Sequence, residues 1–313
     1  MEFRHLRSFL AVAQERSFTR AAERLHMAQP PLSQRIRQLE EELGVQLFER
    51  HTRRVELSHA GRAFHAGIEP LFTQLELAVE ACRRADRGET GQLRLGYSGR
   101  ASQQSLLQVI QAFRTRFPEV VLDLVGPLPT GAQKARLLDG QLDAALCFLP
   151  LSDSGIATRS FAATDFMLVM SASHPLAGQE QVPLATLAQE PFVGYPSNQG
   201  FMLRDAMDSE CRRAGFAPRV VRESETSQVL LCLVAAGTGV SIVPSELQVQ
   251  EPIAGVVFKS LGPGACQLQH GLAWMVGNAN PALRNLLSLV TGPMLDQKTA
   301  PSRVRRAAAT PDQ

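Results

Sequence analysis

Between Gln29 and Arg37 the chain reads QPPLSQRIR, and these residue types suit one kind of chemistry. Glutamine can pair through two hydrogen bonds with adenine, serine can reach a base edge or a phosphate, and arginine can take guanine or a phosphate. On a helix whose Leu32, Ile36, Leu39 and Leu43 turn inward, Gln29, Pro30, Ser33, Gln34 and Arg37 share the outward side, with Pro31 beside them in the first turn. Arg50, Arg53 and Arg54 follow around a short polar turn, where guanidinium groups would grip phosphates and fix register without reading sequence. The alternative for this face is a solvated polar surface on a small helical domain.

A second set of candidates sits where strands give way to helices. Ser98, Gly99 and Arg100 follow the run QLRLGYS, Thr130 follows Pro129 ahead of a helical pattern, Pro196 to Phe201 separate a strand from a helix, and Thr226 opens another helix. Free N–H groups and the helix dipole at such places favour an anion. Phe148 and Phe201 could contact an apolar or aromatic body, and Arg100, Arg159 and Arg204 could supply charge for an acid. Each has a plainer reading: Ser98 and Thr226 as helix caps, Phe148 as core, the arginines as solvated surface.

Enzyme chemistry finds little support. GYSG at Gly96–Gly99 resembles a nucleophile elbow, but that motif needs glycine where Arg100 stands. GTGVSI at Gly237–Ile242 lacks the third glycine of a dinucleotide fingerprint and precedes a strand. Five of the seven histidines fall between His5 and His65 without metal-binding spacing, and the five cysteines (Cys82, Cys147, Cys211, Cys232, Cys266) lie far apart. No cofactor and no metal are expected, and the cysteines read as buried thiols of a reducing cytoplasm.

Apolar periodicity supplies the elements that must position these groups. Leu6, Phe9, Leu10 and Ala13 mark one helix, Phe18, Ala21, Ala22 and Leu25 a second, and Leu32, Ile36, Leu39 and Leu43 the third. Ser17 suits an N-cap, and Pro30 and Pro31 suit a first turn. VQLFERHTRRVELS reads as a hairpin. From Ser58 to Arg87 one long helix carries Phe64, Ile68, Leu71, Leu75, Ala78 and Cys82 at coiled-coil spacing, which implies a dimer, or else packing on the chain's own globular part. Pro70 is expected to bend it. Beyond Gly88, strands alternate with helices, as in βαβ units with a parallel sheet. The expected domains are 1–58, a linker helix 59–88, and an α/β region 89–296 in two lobes (89–160 with 267–296, and 161–266), followed by a disordered tail, 297–313.

At 313 residues with 44% apolar side chains, the chain can bury more than one core. Its net charge of +2 does not announce a nucleic-acid partner. Residues 1–62, however, hold eleven Arg against eight acids, three of which are the consecutive Glu40, Glu41 and Glu42. No run of ~20 apolar residues appears and the first residues lack a signal-peptide pattern, so membrane insertion and export are not expected.

FLAVAQERSFTRAAERL, AQPPLSQRIRQLEEELGVQLFER and LSHAG together resemble the winged helix-turn-helix of LysR-type transcriptional regulators, and the later architecture matches to about residue 295. The resemblance implies a DNA-binding winged helix, a dimerising linker helix and a two-lobed α/β effector domain similar to periplasmic solute-binding proteins. It also implies a dimer of dimers on an interrupted inverted repeat, a small-molecule effector between the lobes, and RNA polymerase as a partner. Ser98, Thr130, Phe201 and Thr226 match positions that commonly line that effector cavity. AQPPLS is similar to a subgroup responding to aromatic-acid breakdown intermediates. Two departures stand out: Ala28 replaces the usual Ser or Thr cap, and Gln34 replaces a common Arg, which points to adenine rather than guanine at the facing base.

Overall fold

In the computed structural model, which describes residues 1–51, 54–99, 102–198, 200–250, 253–262, 265 and 267–290, three helices open the chain: α1 (Phe3–Glu15), α2 (Phe18–Arg24) and α3 (Gln29–Leu43). Ser17 caps α2, accepting from the Arg20 N–H at 3.4 Å. Ala28 gives α3 no side-chain cap, and prolines fill its first positions instead, where an N–H would go unused. Phe9, Ala21, Leu32, Ile36 and Leu39 are fully buried and form one core with β1 (Phe48–His51) and β2 (Arg54–Leu57), an antiparallel hairpin.

The long helix α4 spans His59–Asp86 and runs through Pro70. Ser58 caps its start, accepting from Gly61 N–H at 2.9 Å while donating to the Gln46 carbonyl at 2.6 Å. A Cβ on Gly61 would stand 2.0 Å from the Leu47 carbonyl oxygen, so glycine is required in this close approach. The apolar stripe divides, which corrects the expectation of one continuous seam. Phe64 and Ile68 pack into the chain's own helical core, Phe64 lying 5.1 Å from the Phe9 ring, whereas Leu71, Leu75 and Ala78 are exposed.

The chain divides into two units, Met1–Arg84 and the portion from Ala85 on. The second contains β3 (Gly91–Tyr97), α5 (Gln103–Arg116), β4 (Val120–Val125), α6 (Thr130–Leu138), β5 (Ala144–Leu149), β6 (Ile156–Ser171), β7 (Pro191–Gly194), α7 (Met202–Arg213), β8 (Arg219–Glu223), α8 (Ser227–Ala235), β9 (Ser241–Pro244), α9 (Glu246–Gln250), β10 (Val256–Ser260), β11 (Gln267–Met275) and α10 (Pro281–Leu289). β3 pairs in parallel with β4 and β5, as βαβ units require, and β11 returns antiparallel to β5. β7 and β8 form a separate parallel pair.

β6 joins the lobes. Sequence periodicity suggested a strand only from Asp165, yet the strand is 16 residues long: its first part pairs with β11 and its last part with β9 and β10. Separate cores lie on either side, one around Leu93, Leu95, Phe113 and Leu286, the other around Leu168, Phe192, Met207 and Ile242. The expected tail, 297–313, lies outside the described residues, as does Cys266. Cys147 and Cys211 are buried as expected; Cys82, at the exposed end of the α4 stripe, and Cys232 on α8 are exposed.

Candidate nucleic-acid surface and effector cavity

α3 sets its apolar and polar sides apart. Leu32, Ile36 and Leu39 anchor it, and Gln29, Pro30, Pro31, Gln34 and Arg37 are exposed on the other side, with Ser33 half-buried between them. α2 and α3 are joined by only Leu25–Ala28, with His26 in a left-handed conformation at φ 52°. Buried Ala21 and Ala22 let the two helices approach closely.

The acidic run near the end of α3 has a structural use that periodicity alone did not reveal. Glu40 Oε1 accepts from the Leu47 N–H at 2.8 Å and the Phe48 N–H at 3.2 Å, tying α3 to the first strand of the hairpin. Glu42 pairs with the N-terminal ammonium, which holds its carboxyl below the usual range. Arg50 and Arg54 lie on the hairpin strands, and Arg53 lies outside the described residues.

In the second unit a cavity of about 510 Å³ opens between the lobes. Of the predicted residues Ser98, Gly99, Thr130, Phe148, Phe201 and Thr226 line it. Pro196 is buried and is not among its lining residues, and Arg100 lies outside the described residues. Arg159 and Arg204 do not line it either, because each is engaged elsewhere. Arg159 donates to the Leu287 carbonyl at 2.6 Å and stacks over Trp274, and Arg204 bonds Asp208 at 3.0 Å and Glu223 at 2.7 Å.

Four helices begin at this cavity. Gln103, Thr130, Met202 and Ser227, the first residues of α5, α6, α7 and α8, all border it. Each start carries backbone N–H groups without helical partners and the positive end of a dipole, so negative charge is favoured where they converge. Not all of these donors are open: the Gly131 N–H, in the first turn of α6, donates to the Gly200 carbonyl of the opposite lobe at 3.0 Å. Gly200 has φ +67°, and a Cβ there would come within 2.7 Å of Gly131 Cα, so this crossing admits glycine alone.

The hydroxyls differ in what they have left to offer. Ser98 Oγ accepts from Gln133 Nε2 at 2.7 Å and donates to the Leu146 carbonyl at 3.3 Å, so its hydrogen is committed within the protein. Thr226 Oγ1 accepts from the Val229 N–H at 3.3 Å, which leaves its own hydrogen for a ligand. It is therefore both a cap and a cavity donor. Gln133, fully buried, orients Ser98 and was not legible as a site residue. Tyr195 was missed as well. Its ring stacks on Phe201 at 5.5 Å, and its hydroxyl shares a 2.6 Å hydrogen bond with Ser227, while burial pushes its pKa up to about 12. A tyrosine just after the strand PFVG, at the start of a loop, was the available signal. Glu225 is the one charged side chain among the described lining residues.

A winged helix-turn-helix in the same chain as a two-lobed α/β unit with an inter-lobe cavity defines a ligand-responsive DNA-binding protein. Comparisons with known proteins agree in detail. Residues 3–62 match the bacterial regulatory helix-turn-helix protein of the lysR family, and residues 86–292 match the LysR substrate binding domain. The chain is 38% identical over 282 residues to the transcriptional regulator ShiR of Corynebacterium glutamicum, covering 90% of this chain and 95% of that protein. It is 32% identical over 289 residues to the regulator AlsR of Bacillus subtilis, covering 92% and 95%. The crystal structure of CbnR, a LysR family regulator, aligns with a TM-score of 0.74 at 28% identity over 93% of this chain and all of that one; full-length CbnR bound to its target DNA aligns with a TM-score of 0.71.

The chain belongs to the LysR family of transcriptional regulators. It is a DNA-binding regulator with an effector domain, not an enzyme. Among the described residues no helix is long and apolar enough to cross a membrane, and no group of three or more His, Cys, Asp or Glu could hold a metal.

Proposed function

We propose that the chain is a cytoplasmic regulator that binds an interrupted inverted repeat as a dimer of dimers. α3 lies in the major groove through Gln29, Ser33, Gln34 and Arg37, with Pro30 and Pro31 at the groove edge and Arg50, Arg53 and Arg54 on flanking phosphates. The exposed part of the α4 stripe, Leu71, Leu75 and Ala78, contributes the dimer contact. RNA polymerase is the partner through which the bound protein acts.

The effector is a small organic acid with an aromatic or similarly flat body. One observation carries this: four helix starts and the free Thr226 hydroxyl converge on a cavity whose walls include the Tyr195–Phe201 stack, Tyr97 and Phe148. The carboxylate is held by neutral donors, and the body rests against aromatic faces. Binding shifts the regulator between arrangements of its DNA-binding units only to the extent that its affinity for them differs.

Two measurements test the reading. Mobility shifts with a promoter fragment carrying an inverted repeat and with random duplex, over several salt concentrations, should show preference for the former and steep weakening with salt. A thermal-shift screen of small aromatic and aliphatic carboxylic acids should find a stabilising acid whose effect falls in Thr130→Ala and Thr226→Ala. Equal binding to all duplexes overturns the DNA assignment, and a stabilising acid unaffected by both substitutions overturns the cavity assignment.

A further inference from the structure

On the crossing strands a second, smaller cavity of about 130 Å³ is walled by Gln104, Ser105 and Gln108 of α5, Thr164 of β6, Glu246 of α9 and His270 of β11. Its position is distinctive. α5 packs on the core of the first lobe through Val109 and Phe113, and α9 on the core of the second through Leu247, so the cavity is bounded by both lobes and by the strands that join them. β6 is irregular here, with Phe161 the extra residue opposite His270 and Gly271.

Two polar atoms of this wall are buried without a hydrogen-bond partner, Glu246 Oε2 and His270 Nε2. Each has its other atom engaged: Glu246 Oε1 accepts from Thr164 Oγ1, and His270 Nδ1 lies 3.2 Å from Ser105 Oγ. His270 is 2% exposed and sits between Phe148 and Phe161. Leaving a buried polar atom unmatched costs the full desolvation of that atom, more so for a charged group, and native interiors seldom tolerate two in one place. No cationic side chain is paired with Glu246 among the described residues, and burial, with Asp165 a lesser cause, raises its carboxyl against the Thr164 hydrogen bond. With Nδ1–H directed to Ser105 and Glu246 ionised, both unmatched atoms are acceptors.

We propose that this cavity is a second ligand site, taking a small cation that carries N–H donors, a primary ammonium or an amidinium, with one N–H to Glu246 Oε2 and another to His270 Nε2. A cavity of roughly 150 Å³ admits benzene, so the occupant has about six non-hydrogen atoms at most. The site selects against the acids suited to the larger cavity, since a carboxylate would meet Glu246. Because its walls come from both lobes, occupancy favours the lobe arrangement in which they stand at this spacing.

The test uses the full-length protein with methylammonium, guanidinium and tetramethylammonium chlorides at matched ionic strength, read by thermal shift and titration calorimetry. Methylammonium or guanidinium should stabilise the protein and tetramethylammonium, which has no N–H, should not. Glu246→Gln should weaken binding by about ten- to a hundredfold, the size expected for loss of a charged hydrogen-bond partner. Ala162→Leu, at the β6 residue that completes the cavity wall, narrows the cavity and keeps the charge, and should abolish it. Equal effects of all three salts, or binding that survives both substitutions, overturn the proposal, as does the absence of any binding, which would leave the cavity to water alone. An acid effector of the larger cavity would be unaffected by Glu246→Gln, so the two assignments fail separately.

Discussion

In α3 the outward Gln34 and Arg37 have little part in holding the helix, which Leu32, Ile36 and Leu39 do from the other side. Around the large cavity the same atoms do both jobs: Thr226 caps α8 while facing the cavity, Ser98 links β5 to Gln133, and Tyr195 stacks and hydrogen-bonds within the wall. A surface whose reading atoms are separate from its supports can change partner without losing stability. A cavity whose lining is also its scaffold cannot. DNA preference and fold stability should therefore separate in the first unit, and ligand response and stability should remain coupled in the second.

The largest expected effect sharpens that contrast within one helix. Ile36→Ala should destabilise the first unit by about 2–5 kcal/mol, as core truncation does, whereas Arg37→Ala should stay within about 0.5 kcal/mol. Arg37→Ala should instead weaken DNA binding and reduce the salt slope by about one. Calorimetric unfolding and salt-dependent mobility shifts measure both, and equal destabilisation by the two variants would break the comparison.

Next comes a pH effect confined to the second unit. Burial pushes His270 down from 6.5 to about 4. Below pH 6.5 the unfolded chain takes up a proton that the folded one refuses, so stability falls as pH drops from 6.5 towards 4 and levels off beneath. The shift corresponds to about 3 kcal/mol at its limit. Denaturant titrations followed through Trp274, the single tryptophan, should show this loss in the native sequence and a flatter profile in His270→Gln. An unchanged profile in the variant would assign the acid sensitivity elsewhere.

The smallest effect concerns reading alone. Gln34→Arg should move the preferred base at its position from adenine to guanine, a discrimination of about 1–3 kcal/mol, without altering thermal stability. Selection from a randomised duplex library measures it, and recovered sites identical to those of the native sequence would remove Gln34 from the reading face.

The first unit's helices and hairpin were legible because their signals are local: apolar spacing, the Ser17 and Ser58 caps, the prolines of α3 and a short Arg-rich turn all act within a few residues. The α4 stripe was legible as a pattern but not in its use, because periodicity cannot distinguish packing on the chain's own core from packing on a second copy. Phe64 and Ile68 took the first course. In the second unit most strands and helices followed from alternation, but β10, α9 and the first half of β6 did not, since their residues gain order from pairing with distant segments.

Sequence by itself determined helix α3, its proline-filled first turn and its apolar backing, and the loops from which a ligand cavity could be built, because each depends on residues close together in the chain. Tertiary structure alone decided that Glu40 ties α3 to the hairpin, that Arg159 and Arg204 are engaged by other groups of the protein, and that Gln133 aligns Ser98. It also decided that His270, Ser105 and Glu246, separated by up to 165 positions, border one cavity. Such meetings are set by how the two lobes close on their shared strands, and no local pattern encodes a contact whose partners are that far apart along the chain.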